Sequence, residues 1–97
     1  MYKQINEELK KTSINNMMKN LVTLRTMLHL TQTQLSEIMG VTRQTLVMYE
    51  TGKRKMTWST FLSLVLIFDN NQSTKQLLEI MNIYPRELRD YLGSLER

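Results

Sequence analysis

The stretch 32–50 constrains the fold of this chain more than any other segment. Its sequence is QTQLSEIMGVTRQTLVMYE, with apolar residues at three- and four-residue steps on either side of Gly40. Such steps are typical of amphipathic helices. A glycine suits a tight turn because it adopts a positive φ without steric cost. The segment therefore predicts two short helices that cross closely around a turn at Gly40.

Helical periodicity extends over most of the chain. Period-two alternation is not sustained anywhere, and the expected fold class is therefore all-α. Thr31 and Gln34 have the spacing of a capping box. The first core helix is predicted to begin within residues 13–16 and to run through Leu28. Later helices are predicted to start at Thr31, Thr42, Thr57, Ser73 (ending at Met81) and Pro85.

The composition is that of one globular domain. Ninety-seven residues that are 41% hydrophobic can close a modest core without disulfides. The chain has no cysteine, which excludes a thiolate metal site and fits a reducing compartment. No apolar run reaches the length of a membrane span, and the amino-terminal residues lack the apolar block of a signal peptide. A cytoplasmic protein is expected.

Basic charge is concentrated in the middle of the chain. The formal net charge is +4, and residues 17–69 hold six basic against three acidic residues. Segments 1–16 and 70–97 are nearly balanced, with three against two and four against four. This distribution fits a phosphate-bearing partner, and it fits an ordinary solvated surface equally well.

The two short helices would divide their side chains between an inner and an outer face. The inner face takes the apolar and small residues Leu35, Ser36, Met39, Val41, Leu46 and Tyr49. Positions 43 and 47, and 44 and 48, stack one turn apart on the outer face. The outward residues, which are candidates for reading base edges in a DNA groove, are Thr42, Arg43, Gln44, Val47 and Met48.

The chemistry of the outer face suits base recognition. Arg43 can donate two hydrogen bonds to guanine, and Gln44 can donate to and accept from adenine. Val47 and Met48 suit contact with a thymine methyl group. The alternatives are a solvated helix face for Arg43 and Gln44, and core or dimer packing for Val47 and Met48.

Phosphate contacts are expected around the same pair of helices. Lys53, Arg54 and Lys55 follow the second helix, where the chain would pass the DNA backbone. Gln32 begins the first helix, where free N–H groups and the helix dipole favour an anion. The candidate phosphate-binding residues are Gln32, Thr45, Lys53, Arg54 and Lys55.

Residues 21–68 carry an ordered set of motifs. They are Leu24-Arg25, Leu30-Thr31-Gln32, Leu35, Met39-Gly40-Val41-Thr42-Arg43, Tyr49-Glu50, Gly52-Lys53-Arg54 and the apolar helix from Thr57. In order and spacing this set resembles the lambda-repressor-like helix-turn-helix domains of the Cro and xenobiotic-response-element type. The resemblance implies a bundle of about five helices in which Gln32 contacts phosphate, the helix from Arg43 reads bases and the next loop touches the backbone. It also implies a structural ion pair between Arg25 and Glu50.

The ends of the chain have no counterpart in that resemblance. We expect 1–16 to form an arm or an added helix, with Tyr2, Ile5 and Leu9 on one side. Residues 17–69 would be the DNA-binding core, and 70–97 a helical extension. The apolar residues of the extension are expected to cover the core, form a homodimer or receive a partner; they are Leu77, Leu78, Met81, Tyr84, Leu88, Tyr91, Leu92 and Leu95.

Nothing in the sequence points to catalysis. His29 is the only histidine, and Glu7 and Glu8 point in different directions on a helix. We expect no enzyme, cofactor, metal site, small-molecule ligand or membrane partner. The expected function is a prokaryotic or phage transcriptional regulator at the nucleoid, acting on double-stranded DNA as a homodimeric repressor at a palindromic operator. Antitoxins also resemble this family, so the alternative is an antitoxin that binds a toxin protein and autoregulates its operon.

Overall fold

The computed structural model describes residues 4–96. Within that range it contains six α-helices and no β-strand, which confirms the predicted all-α class. The helices are α1 (Glu7–Met27), α2 (Gln32–Met39), α3 (Arg43–Glu50), α4 (Trp58–Asp69), α5 (Gln72–Ile80) and α6 (Arg86–Leu92).

Threonine caps set the starts of the three central helices. The Thr31 hydroxyl accepts the N–H of Gln34 at 3.0 Å, and the Gln34 side-chain oxygen accepts the N–H of Thr31 at 2.9 Å. This is the capping box that the sequence predicted. Thr42 and Thr57 cap α3 and α4 with their hydroxyls alone, which accept the N–H groups of Thr45 and Thr60. Each cap satisfies first-turn N–H groups that the helix itself leaves without partners.

The predicted start of the first helix within residues 13–16 is wrong. Asn6 caps α1, because its side-chain oxygen accepts the N–H of Glu8 at 2.8 Å. Glu7 and Glu8 then occupy the first turn, where negative charge complements the helix dipole. Ser13 lies inside the helix and is fully buried.

The amino-terminal segment is therefore a continuation of the core helix from residue 7 onward. Ile5 and Leu9 are partly buried and pack against the core. Tyr2, which the sequence placed on the same side, lies outside the described residues. The division of the chain into functional units at residues 16 and 69 stays a prediction.

The predicted cap at Ser73 is also wrong. Asn71 has the extended backbone of the capping position of α5, so Ser73 falls inside the first turn. The Asn71 side chain does not cap, because its amide donates to the carbonyl of Ile67 at 2.7 Å. Thr74 is fully buried and its hydroxyl donates to the carbonyl of Phe68 at 2.7 Å, which fastens the α4–α5 turn.

One hydrophobic core joins all six helices. Its fully buried side chains are Met17, Leu21, Leu24, Leu35, Leu46, Phe61, Leu64, Phe68, Leu78, Ile83 and Leu88. Burial of each such side chain stabilises the fold by roughly 1.5–3 kcal/mol. Leu35 anchors α2 to this core and Leu46 anchors α3, so both short helices are held on the platform formed by α1 and α4.

The carboxy-terminal extension packs on that platform. Arg89 of α6 donates to Asp69 at the end of α4 at 2.9 Å and lies 4.2 Å from the ring centre of Tyr84. The hydrogen bond with Asp69 raises the pKa of Arg89 above its ordinary value. Asn16 of α1 donates to the carbonyl of Asn82 at 3.0 Å. Core packing thus accounts for most of the apolar residues in 70–97, while Leu95 stays 45% exposed.

Candidate nucleic-acid interface

The turn between α2 and α3 has the geometry that Gly40 was expected to supply. Gly40 has φ 77°, and an added Cβ would meet no atom within 4 Å. The constraint at this position is therefore the positive φ and not crowding. The N–H of Val41 donates to the carbonyl of Ser36 at 3.0 Å, which closes the end of α2.

A small residue lies at the crossing of the two helices. Ser36 is 2% exposed, and its hydroxyl donates to the carbonyl of Thr33 at 2.8 Å, so its only polar group is satisfied within α2. Leu46 and Tyr49 bury the inner face of α3. Since α3 is fixed along this face, its opposite face has a defined direction.

The opposite face of α3 presents the residues expected to read bases. Arg43 and Gln44 are exposed, and Val47 and Met48 are half-buried at its margin. Thr42 is exposed, but its hydroxyl accepts the N–H of Thr45 at 3.1 Å and donates to the Thr45 hydroxyl at 2.9 Å. Thr42 is thus occupied as a cap, whereas Thr45 keeps its own hydroxyl proton to donate.

Arg25 and Glu50 form a bidentate ion pair. Arg25 Nε lies 2.7 Å from Glu50 Oε2, and its Nη2 lies 3.3 Å from Oε1. The third donor, Nη1, reaches the carbonyl of Leu30 at 3.0 Å. The side chains are only 13% and 3% exposed. The pair therefore joins α1, the α1–α2 link and the end of α3 in a poorly solvated environment.

Gln32 extends this pair to the surface, a connection that sequence reasoning missed. Its amide nitrogen donates to Glu50 Oε1 at 2.9 Å, and its amide oxygen accepts from Arg43 Nη2 at 3.0 Å. Gln32 and Arg43 are the first residues of α2 and α3. That both residues begin a helix is the feature of the sequence that could have indicated their contact. The Gln32 amide keeps a second N–H beyond the bond to Glu50, and the first turn of α2 adds free backbone N–H groups. Its contact with a phosphate stays a prediction.

The loop after α3 presents three cations. Lys53, Arg54 and Lys55 are all exposed. The N–H groups of Lys53 and Arg54 both donate to the carbonyl of Met48, at 2.9 and 3.2 Å, and this folds the loop back on α3. Met56 is 2% exposed and anchors the far end of the loop in the core.

The surface formed by α3 and this loop has little opposing charge. Glu50 is the only acidic residue between positions 38 and 68, and Arg25 neutralises it. Arg43 and the three loop cations are therefore not compensated by carboxylates from the same segment. Such a surface attracts a polyanion.

A braced second helix, a glycine turn and a basic loop define the helix-turn-helix class of DNA-binding proteins. Residues 21–64, a little under half of the chain, match the family model described as helix-turn-helix. This match confirms the resemblance of residues 21–64 to the lambda-repressor-like helix-turn-helix family, which the sequence motifs indicated. The match supports, at the level of the family, a DNA-binding transcriptional regulator. No curated protein and no solved structure matches the chain.

Two further features concern other kinds of site. Among residues 4–96, no helix is long and apolar enough to cross a membrane, and no three His, Asp or Glu side chains are grouped to hold a metal ion. His29 is exposed in the α1–α2 link and has φ 57°.

Proposed function

We propose that this protein is a cytoplasmic, nucleoid-associated repressor that binds a palindromic operator as a homodimer. The observation that carries the proposal is the exposure of Arg43 and Gln44 on a short helix whose other face is buried. A helix fixed in this way enters the major groove without first having to be ordered, so its side chains meet base edges in a defined register.

Base recognition is assigned to the outer face of α3. Arg43 donates to guanine O6 and N7, and Gln44 pairs with adenine N6 and N7. Val47 and Met48, half-exposed beside them, contact thymine methyl groups, and the methyl group of Thr42 lies at the groove edge. Gln32 holds the Arg43 guanidinium through the 3.0 Å hydrogen bond, which restricts the directions in which Arg43 donates.

Phosphate contacts position this helix in the groove. Lys53, Arg54 and Lys55 contact one backbone from the loop, and Thr45 donates its free hydroxyl proton to a phosphate. The first turn of α2, at Gln32, faces the other backbone. These contacts supply affinity that depends on salt and carry little sequence information.

The small size of the reading helix supports the proposal of a homodimer. With eight residues, α3 is about 12 Å long and covers only a few base pairs. Two copies related by a two-fold axis place two such helices one DNA turn apart, roughly 34–36 Å, on a palindrome. Occupation of that site blocks polymerase or a competing factor.

The test is selection from a pool of random duplexes, followed by binding measurements on the selected sequence. The wild-type protein should enrich a palindrome with two half-sites. Arg43→Ala should lose about 1–3 kcal/mol for each half-site of that duplex and accept any base at one position of each half-site. Arg86→Ala, which removes an exposed arginine from α6, is the matched control. Equal weakening on random and selected DNA would contradict base reading by Arg43.

A second candidate function is that of an antitoxin. It is favoured by exposed apolar side chains beyond the matched family core, at Ile80 (75% exposed) and Leu95 (45% exposed). A toxin protein covering these residues would bury apolar surface that the isolated chain leaves in water. A stoichiometric second polypeptide that copurifies from the native host supports this function. A lone dimer that shifts operator DNA supports the plain repressor.

A further inference from the structure

Helix α1 extends well beyond the family core. It begins at Glu7, whereas the family match begins at residue 21. The additional turns carry Lys10, Lys11 and Lys19. None of these lysines belongs to the motifs that define the helix-turn-helix.

The basic loop after α3 lies beside these additional turns. Its beginning, Thr51 and Gly52, lines a shallow groove together with Met18 and Lys19 of α1. Beyond its far end at Met56, α4 begins with Trp58, whose ring centre lies 5.4 Å from the Lys10 amine. The loop that carries Lys53, Arg54 and Lys55 therefore runs alongside α1 from about residue 19 back to residue 10.

Helical geometry places Lys11 on the same side of α1 as the loop. Lys11, Met18 and Arg25 are seven residues apart, and residues at this spacing lie along one side of a helix. Met18 lines the same groove as Gly52, and Arg25 binds Glu50 at the end of α3. Both Lys11 and Lys19 are exposed. Lys10 differs, because it is half-buried and lies 3.4 Å from Glu7.

We propose that Lys11 and Lys19 bind duplex DNA phosphates that flank the segment read by α3. This inference rests on the proposed binding of duplex DNA. The two residues are eight positions apart, which is about 12 Å along the helix. One strand of B-DNA carries a phosphate for about every 3.4 Å of its axis, so this spacing covers roughly three phosphates. The extension of α1 thus lengthens the row of phosphate-binding cations that begins with Lys53, Arg54 and Lys55.

The test compares two duplexes that carry the selected palindrome. One has about ten base pairs of arbitrary sequence on each side, and the other is trimmed to the half-sites. The slope of log affinity against log salt is measured for wild type, Lys11→Ala and Lys19→Ala, with Lys53→Ala as a loop reference. Lys75→Ala is the matched control, because Lys75 is an exposed helical lysine on α5, beyond the far end of α4.

On the long duplex, Lys11→Ala and Lys19→Ala should each flatten the slope by about 0.9 for every phosphate that a protomer no longer neutralises. On the trimmed duplex both variants should match wild type, since the flanking phosphates are gone. Lys75→Ala should match wild type on both. Alanine is a strong helix former, so circular dichroism should show unchanged helix content.

Three results would overturn the inference: wild-type slopes for both variants on the long duplex, equal losses on both duplexes, or an equal loss for Lys75→Ala. Each leaves the repressor proposal standing if wild type still selects a palindrome. Failure of the wild-type protein to bind any duplex removes the proposed function, and this inference with it.

Discussion

Replacing Glu50 with glutamine removes the charge that compensates Arg25 while keeping the size of the side chain. Glu50 is 3% exposed and Arg25 13%, so water replaces little of the original interaction. The Nε and Nη2 groups of Arg25 lose the carboxylate to which both donate. The amide N–H of Gln32 loses the same charged acceptor. An arginine left in this environment carries an uncompensated charge.

The size of the effect follows from the burial of the pair. Breaking a buried ion pair by removing one partner costs about 3–5 kcal/mol. Glutamine still offers one acceptor oxygen, so about 3 kcal/mol is expected for Glu50→Gln. For a domain of this size, each kcal/mol shifts Tm by roughly 4–8 °C, which gives a fall of about 12–24 °C.

Urea unfolding measures this loss directly. Trp58 is the only tryptophan and stacks on Phe61, with ring centres 4.8 Å apart, so its fluorescence follows the tertiary fold while circular dichroism follows the helices. Glu37→Gln is the control, because Glu37 is an exposed glutamate on α2, and its replacement should change stability by less than about 0.5 kcal/mol.

A double-mutant cycle separates the ion pair from the packing of its side chains. Arg25→Met combined with Glu50→Leu removes both charges, so the double variant should be more stable than the sum of the two single losses predicts, by about 2 kcal/mol or more. The reasoning is refuted if Glu50→Gln costs under about 1 kcal/mol, or if the two single losses simply add.

Two further predictions concern backbone conformation. Gly40→Ala should destabilise the fold by about 1–2 kcal/mol in urea unfolding, because φ 77° strains alanine although its Cβ meets no atom within 4 Å; a change below about 0.3 kcal/mol would show that the turn relaxes. His29→Gly should instead stabilise the fold by about 0.5–1 kcal/mol in the same assay, because φ 57° favours glycine, and a net loss would mean that the imidazole makes a contact that outweighs the strain.

Local signals were sufficient to predict the crossing of α2 and α3. Thr31, Thr42 and Thr57 start helices because capping depends on residues within one turn. Gly40 marks the turn because a positive φ is a property of a single residue. These features need no knowledge of distant parts of the chain.

Local signals were not sufficient to predict features that depend on contacts between distant parts of the chain. Several residues near the amino end can cap a helix. The start at Asn6 extends α1 so that Ile5 and Leu9 are partly buried against the core, beside a cleft that Tyr91 and Leu95 also line. Tertiary packing of this kind overrides local propensity. The contact of Gln32 with Arg43 was missed for a related reason, since it requires the relative placement of two helix starts.

The chain of contacts from Arg25 through Glu50 and Gln32 to Arg43 has a consequence for how such a regulator changes its target over evolutionary time. A mutation at Arg43 alters the preferred base and also leaves the Gln32 oxygen without its donor, so it affects two properties at once. Gln44 is also exposed and stands outside this chain of contacts. Related regulators that diverge in operator preference should therefore have varied first at the position of Gln44, and later at that of Arg43.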